Sequence, residues 1–468
     1  MTEGLVDQKP LDVMILAAGL GTRMRSDIAK VLHRLDGRPM INHVCRTALA
    51  LAPDTIYVVI GHQGDEVRAS VLEETEAVFV VQREQLGTGD AVNSAREYLE
   101  SRDSTLLVLS GDVPMIRPET LAGLLQQHRR HRGKGAACSI LTVKLKDPTG
   151  YGRIIRDNEG LFERIVEQKD ATEEQKQIVE INAGIYCFET RSLFSTLSQV
   201  STNNAQGEYY LTDVPALLRN AGEDVALYPH GDPSEVEGVN NRVQLAELER
   251  FLSRRTISRL MLEQGVTFID PKNAYISEQT EIGRDTVIYP NVTIEEASSV
   301  GDGCMIRSGR RITNSSIGHG VKILDNCVIT DSTVAGGCTI GPMAHLRGNA
   351  SVENGAKVGN FVELKKTKLG SGSKASHLTY LGDAVIGENT NIGAGTITCN
   401  YDGVKKHETR IGDNVKIGSD TMLVAPVSVG DRSVTGAGSV VTKDVEEDVL
   451  VAGVPAKVKK SLRSDADQ

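Results

Sequence analysis

The chain of 468 residues has no tryptophan, only seven phenylalanines, and 4% aromatic residues in all. So few rings cannot fill a large globular core, but they suit a thin aliphatic one. Basic residues are not in excess: 52 Lys+Arg stand against 62 Asp+Glu, a net charge of −10. That excludes general nucleic-acid binding, so any bound phosphate must be met by local cations. The seven cysteines (45, 138, 187, 304, 327, 338 and 399) include no C-x-x-C pair. Neither a zinc cage nor a disulfide framework is indicated, and reduced thiols in the cytoplasm are the expectation. Long apolar runs are also missing. The stretch 13–18 is too short for a signal core or a membrane span. At this length one core is not enough, so at least two domains are expected.

What is present is a repeat. Ile276, Ile282, Ile288, Ile294, Val300, Ile306 and Ile312 stand six residues apart. After one slipped residue Ile317, Ile323 and Ile329 resume the step. Val334, Ile340, Leu346, Val352, Val358 and Leu364 carry it on, and Ile411, Ile417, Leu423, Val429, Thr435 and Val441 close it. Glycine often follows, as at Gly283, Gly301, Gly318, Gly393 and Gly418. A period of six is neither helical nor that of a simple strand. It is the hexapeptide signature of a parallel β-helix, with the aliphatic side chain inside and glycine where a Cβ would clash. The pattern breaks at 365–381 and 399–410, and such interruptions usually carry function.

Before the repeat, strands expected at 13–16, 56–60, 78–81 and 106–109 alternate with amphipathic stretches such as 41–51 and 90–99. That order predicts a mostly parallel, doubly wound sheet with ligands at the strands' C-terminal ends. Leu245, Leu248, Leu252, Leu260 and Met261 stripe one linker helix, which Gly265 stops. The expected division is 1–241 for the α/β domain, 242–264 for the linker helix, 265–457 for the solenoid and 458–468 for a fraying tail.

The first strand feeds the turn Leu16-Ala17-Ala18-Gly19-Leu20-Gly21-Thr22-Arg23-Met24, with Lys30 six residues on. Gly19 and Gly21 free the backbone to point N–H groups at phosphate oxygens, and Arg23 and Lys30 supply positive charge. The turn is neither a Walker loop nor G-x-G-x-x-G. Asp112 follows an expected strand and Gly111, where a carboxylate can meet a cation. Taken alone it also reads as a helix cap, and Asn240 as a cap of the linker helix.

L-x-x-G-x-G-T-R-M followed by Lys resembles the sugar-phosphate nucleotidylyltransferases. Q-x-E-Q-L-G-T-G (82–89), G-D-V-P (111–114), T-G-Y-G-R (149–153), I-V-E-x-K-D (165–170), E-I-N (180–182), N-A-Q-G-E-Y-Y (204–210) and V-E-G-V-N-N-R (236–242) follow in order. With the solenoid, they resemble the bacterial enzymes that join an N-acetylglucosamine-1-phosphate uridylyltransferase to a glucosamine-1-phosphate acetyltransferase. The likeness covers about 11–457. It implies a Rossmann-like nucleotidyltransferase domain followed by a left-handed parallel β-helix that assembles as a homotrimer. General chirality rules would favour a right-handed crossover, so the left hand comes from the resemblance alone. It also implies UTP and acetyl-CoA as co-substrates and Mg2+ held by Asp112 and Asn240. Lys30 would reach phosphate; Gln82, Gly87 and Thr88 would read uracil; Gly152, Glu167 and Asn182 would hold N-acetylglucosamine. A pyrophosphorylase with a merely regulatory solenoid is the alternative. It would lack the next motif.

S-K-A-S-H-L-T-Y-L-G-D (373–383) and C-N-Y-D-G (399–403) match the acetyltransferase end. Acyl transfer to an amine needs a base near neutral pH, and a histidine suits it; His377 is that base. Glu363 is placed to orient it as a triad's third member would. By resemblance Arg347, Lys365, Tyr380 and Asn391 hold glucosamine 1-phosphate, with Asn400 and Tyr401 from the second interruption. Ala394, Ser419 and Ala437 line the acetyl-CoA site. Four departures from the family stand out. Leu20 replaces a basic residue and Ser110 a tyrosine. Gly348 replaces a proline, leaving Arg347 free to wander, and Gly453 replaces an arginine near the coenzyme phosphates.

Overall fold

A computed structural model describes residues 9–19, 21–61 and 63–462. The chain divides into two compact units between Leu248 and Glu249. Leu20 lies outside the described residues.

In the first unit the main sheet runs Val225–His230, Cys138–Lys144, Glu180–Glu189, Thr105–Ser110, Leu11–Leu16, Thr55–Ile60, Val78–Val81. Glu180–Glu189 runs antiparallel to both neighbours, and the other pairs on this path are parallel. Along Leu11–Leu16 the side chains alternate between two cores. Val13 and Ile15 pack with Ile41 and Val44, while Met14 packs with Tyr57 and Val92. A strand buried on both faces reads as an unbroken apolar run, which is why this one was visible in sequence. The stretch expected as one helix over 90–99 is two, Thr88–Asn93 and Arg96–Leu99. Ser94 turns its hydroxyl back onto the Asp90 carbonyl at 3.0 Å, and the Asn93 side chain accepts from Arg96 at 2.9 Å. These local bonds compete with helix continuation.

The C-terminal ends of the parallel strands meet at one edge. Gly111 N–H donates to the Leu16 carbonyl (2.9 Å), Ala17 N–H to Val59 and Gln82 N–H to Ile60. The first turn, Asp112 and Gln82 are therefore placed side by side by sheet register alone.

The second unit begins inside the helix Arg242–Glu263 and continues as a parallel solenoid. One coil is three hexapeptides: Ile276 lies over Ile294, and Ile294 over Ile312. The slipped residue shortens a coil, so that Val300 lies over Ile317. The repeating aliphatics are the core, and Ile288, Ile294, Ile306, Ile312, Ile323 and Ile329 are wholly buried. The glycines serve coil spacing: a Cβ at Gly301 would sit 2.8 Å from the Gly318 carbonyl carbon. Left-handed corners are shared between glycine and Asn or Asp, among them Asp285, Asn291, Asn326, Asn349 and Asn389, whose short side chains tolerate that conformation.

The first expected interruption is not one. Lys357–Leu369 and Lys374–Ile386 are two long strands paired in one constant register from Lys357 over Lys374 to Leu369 over Ile386. The pattern is hidden because the step of six twice shortens to five, from Leu364 to Leu369 and from Leu381 to Ile386, and because Ala375 takes an aliphatic position. Ser373 and Thr367 satisfy their hydroxyls on the carbonyls of Gly387 (2.6 Å) and Leu381 (2.8 Å). The second interruption is real. Ile386 pairs with Ile411, a coil lengthened by the excursion 399–410. Of the tail expected to fray from 458, residues 463–468 lie outside the described residues. Lys457–Ser461 runs antiparallel to Val449–Ala452 and covers the last edge with lysines.

Candidate active sites

At the sheet edge Gly21 is left-handed (φ 58°), and a Cβ there would meet the Lys30 Cβ at 2.6 Å. Glycine thus lets the turn close on Lys30. The Lys30 ammonium pairs with Asp112 Oδ2 and donates to Asn240 Oδ1 at 3.1 Å; Arg23 donates to the same Asn240 oxygen at 2.8 Å. Ser110, the residue in place of tyrosine, donates to Asp112 Oδ1 at 2.6 Å. Three stretches remote in sequence, 23–30, 110–112 and 240, converge, and the Asp112 and Asn240 oxygens both face the Lys30 ammonium. Asn240 is held there by its own N–H on the Gln244 side chain (2.8 Å) and by Val239 N–H on the Asp112 carbonyl (3.0 Å).

Beside this cluster Gln82 is buried, its amide donating to Asp90 (2.8 Å) and to the Gly87 carbonyl (3.2 Å). Gly87 adopts φ 113°, and a Cβ would lie 2.6 Å from the Tyr209 carbonyl oxygen. Thr88 accepts from Leu211 N–H at 3.1 Å. The segment 208–212 then reaches the other group, since Thr212 hydrogen-bonds Glu167. Burial raises the Glu167 carboxyl above its ordinary range; Thr212 opposes this, and Asp170 and Asp213 add to it. Gly152 packs against Glu167, whose Oε1 would be 3.3 Å from an added Cβ. Asn182 is fixed by Tyr186 (2.6 Å) and Gly184 (3.1 Å), and its N–H donates to the Gly152 carbonyl (2.9 Å). A separate cavity of about 1540 Å³, lined by Lys9, His128 and Glu189 among others, lies at the opposite end of the strands. It holds none of the predicted residues.

In the solenoid His377 sits within a strand rather than a loop, paired in register with Asn360. Its Nδ1 lies 2.7 Å from Asn360 Oδ1. Glu363 does not orient it. The same register places Glu363 over Tyr380, and Glu363 binds Arg347 at 2.6 and 2.7 Å. That ion pair also corrects the expectation that Arg347 wanders beside Gly348. Gly348 is left-handed (φ 62°), a conformation closed to the proline it replaces. Lys365 is buried and pairs with Asp383 at 2.8 Å, and Asn400 donates to that carboxylate at 2.5 Å. Burial works against the Lys365 charge, the hydrogen bond and charge of Asp383 favour it, and the net shift raises the Lys365 pKa. Tyr380 stands beside Asn400 over Gly382. The Asn391 side chain makes no hydrogen bond among the described residues, and the Tyr401 hydroxyl donates to the Gly403 carbonyl of its own loop (2.6 Å). Ala394, Ser419 and Ala437 form one column: Gly395 N–H donates to Leu378, Asp420 N–H to Ala394 and Gly438 N–H to Ser419. The column begins at His377.

Three family models match along the chain: the MobA-like NTP transferase domain over 13–180, the GMPPB C-terminal domain over 269–352, and the bacterial transferase hexapeptide (six repeats) over 408–443. The chain is 46% identical to "Bifunctional protein GlmU" of Shouchella clausii over 96% of its own length and 97% of that relative. The proteins of the same description from Syntrophomonas wolfei (47%; 94% and 96%) and Listeria innocua (46%; 93% and 94%) are similar over comparable spans. The chain belongs to the GlmU family. It has the GlmU architecture, a Rossmann-like nucleotidyltransferase domain followed by a left-handed parallel β-helix. It is a bifunctional enzyme of UDP-N-acetylglucosamine synthesis. Acetyl-CoA acetylates glucosamine 1-phosphate, then UTP uridylylates N-acetylglucosamine 1-phosphate and pyrophosphate leaves.

The structure of this chain adds residues that the sequence did not single out. Asp383 gathers Lys365 and Asn400. Lys406, brought back by the excursion, lies against Lys365, which lowers the Lys406 pKa. Asp402 shapes the excursion by accepting from Val404 N–H and Lys405 N–H (both 2.8 Å) and pairing with His407 at 2.6 Å. Asp383 closes the 373–383 motif and Asp402 opens an Asp-Gly turn, whereas Lys406 carried no signal.

Proposed function

We propose that the two reactions use two separate centres. At the solenoid His377 takes a proton from the glucosamine amine as its nitrogen attacks the acetyl thioester; the coenzyme leaves as thiolate. Arg347 and Lys365, with Tyr380, Asn391, Asn400 and Tyr401, hold the sugar phosphate. The column Ala394, Ser419, Ala437 offers a groove of small side chains for the coenzyme, ending at the base. Gly453, beyond that column, adds no charge, so the coenzyme phosphates are held more weakly than where arginine stands.

At the sheet edge the sugar phosphate attacks the α-phosphorus of UTP. The turn from Leu16 through Ala17, Ala18 and Gly19 presents backbone donors, and Arg23 and Lys30 neutralise phosphate. Gly111 positions Asp112. Gln82, Gly87 and Thr88 read uracil; Gly152, Glu167 and Asn182 hold the sugar. The donor set fits a magnesium ion, because Asp112 and Asn240 already turn oxygens toward one ammonium. No group of three or more His, Cys, Asp or Glu among the described residues makes a metal cage. That agrees with an ion held largely by substrate phosphates. When bound, it would supply Lewis-acid charge stabilisation.

Exposed Met343, Phe361 and Leu378 flank His377 on successive coils (45%, 54% and 63% exposed). They support a homotrimer in which copies meet beside the base. Seven free thiols support a cytoplasmic location. No helix among the described residues is long and apolar enough to cross a membrane.

The observation that carries the two-centre reading is the convergence of Asp112 and Asn240 on one cation, in a unit separate from His377. Asp112→Ala should abolish uridylyl transfer and spare acetyl transfer; His377→Ala should do the reverse, by about 10²-fold or more. Separate assays with UTP and with acetyl-CoA decide it. Joint loss in each variant would overturn the reading.

A further inference from the structure

A histidine can act as a base through one nitrogen only if the other holds the proton, and a fixed acceptor at that other nitrogen decides which. Asn360 Oδ1 lies 2.7 Å from His377 Nδ1, and Nε2 makes no hydrogen bond among the described residues. The contact is built into the coil. Asn360 and His377 are direct partners on adjacent parallel strands. Each is followed by a left-handed residue, Phe361 (φ 54°) and Leu378 (φ 46°), so both stand at the same corner. Gly359 precedes Asn360, and a Cβ there would lie 1.9 Å from the Ser376 carbonyl oxygen. Only glycine lets the two coils close to this spacing. Thr379 pins the His377 carbonyl at 2.6 Å.

We propose that Asn360 is a positioning residue for His377: its neutral amide oxygen receives the Nδ1 proton and leaves Nε2 to accept the proton of the attacking amine. This rests on His377 being the base. It differs from a carboxylate-backed triad, because an amide selects the tautomer without adding charge. The charges nearby are placed elsewhere. Lys357 and Lys374 stand three residues back on the same two strands, the next coil of the column presents Ala394, and Glu363 is engaged by Arg347.

Three variants of the full chain test it, with uridylyl transfer in the same samples as the folding control. Asn360→Ala should lower kcat of acetyl transfer about 10- to 100-fold and leave KM for both substrates within about twofold. Asn360→Asp should recover much of that kcat and move the acidic limb of the pH–rate profile up by about one unit, since a carboxylate favours the protonated ring. Undiminished kcat in Asn360→Ala, a loss carried by KM, or an unmoved profile in Asn360→Asp would overturn the proposal. His377→Ala separates the two claims: if it keeps acetyl transfer, the base assignment falls first and the positioning role with it.

Discussion

The two halves of this enzyme assemble their sites by opposite means. In the α/β unit Arg23, Lys30, Asp112 and Asn240 come from positions up to 217 residues apart and meet only because a sheet aligns its strand ends. In the solenoid Asn360, His377, Ala394, Ser419 and Ala437 meet because each coil places its residues over those of the last. A sheet edge can join any four loops, so chemistry there is tuned loop by loop. A column couples each residue to the spacing of every coil below it, so an error in one coil displaces the site above.

Glycine substitutions sharpen this contrast most. Gly87→Ala forces a Cβ to 2.6 Å from the Tyr209 carbonyl at φ 113°. Uridylyl transfer should fall by about 10²-fold, while acetyl transfer and the melting of the solenoid stay unchanged. Gly318→Val, whose Cβ would lie 2.7 Å from Gly336 N, has no loop to absorb it. It should cost about 3 kcal/mol, so that acetyl transfer is lost first in a thermal-inactivation series. Equal effects of the two on both activities would erase the distinction.

A smaller effect is expected at the cation cluster. Lys30 stands between the two oxygens proposed for magnesium. Lys30→Met should therefore raise the Mn2+ affinity of the nucleotide-free protein, by about tenfold, while weakening UTP binding. Titration followed by electron paramagnetic resonance reads the first and calorimetry the second; unchanged Mn2+ affinity would show that Lys30 does not occupy the ion's place. The smallest effect concerns Glu167. Its pKa lies above the usual carboxylate range because it is buried. On acidification from pH 7 toward 5 it protonates earlier than an ordinary glutamate, so KM for N-acetylglucosamine 1-phosphate should rise. The substrate's own phosphate titrates near pH 6, so the Glu167→Gln variant is the reference: its profile should keep only the substrate's contribution.

Much of this was legible in sequence where geometry repeats. The aliphatic steps from Ile276 to Leu364 are core positions because a hexapeptide that is half strand and half turn has one inward residue. The first turn was legible because two glycines and two cations must sit together to hold phosphate. The partner of His377 was not. Glu363 is the more obvious orienting group, yet the shortened coil places Glu363 over Tyr380 and Asn360 over His377. Counting one coil back from His377 identifies Asn360 only once that coil's length is known, and the five-residue steps from Leu364 to Leu369 and from Leu381 to Ile386 hid it. Lys406 was missed because the excursion folds back by its own hydrogen bonds rather than by period.

Composition and spacing alone settle that this chain has a thin aliphatic solenoid, a separate α/β unit and a phosphate-suited turn, because those depend on local period and on residue type. Which oxygens share the Lys30 ammonium, and which neighbour receives the His377 proton, are decided by register between strands. Register is a property of the packed chain: a change of one residue in coil length exchanges Asn360 for another side chain while every motif in the sequence stays the same.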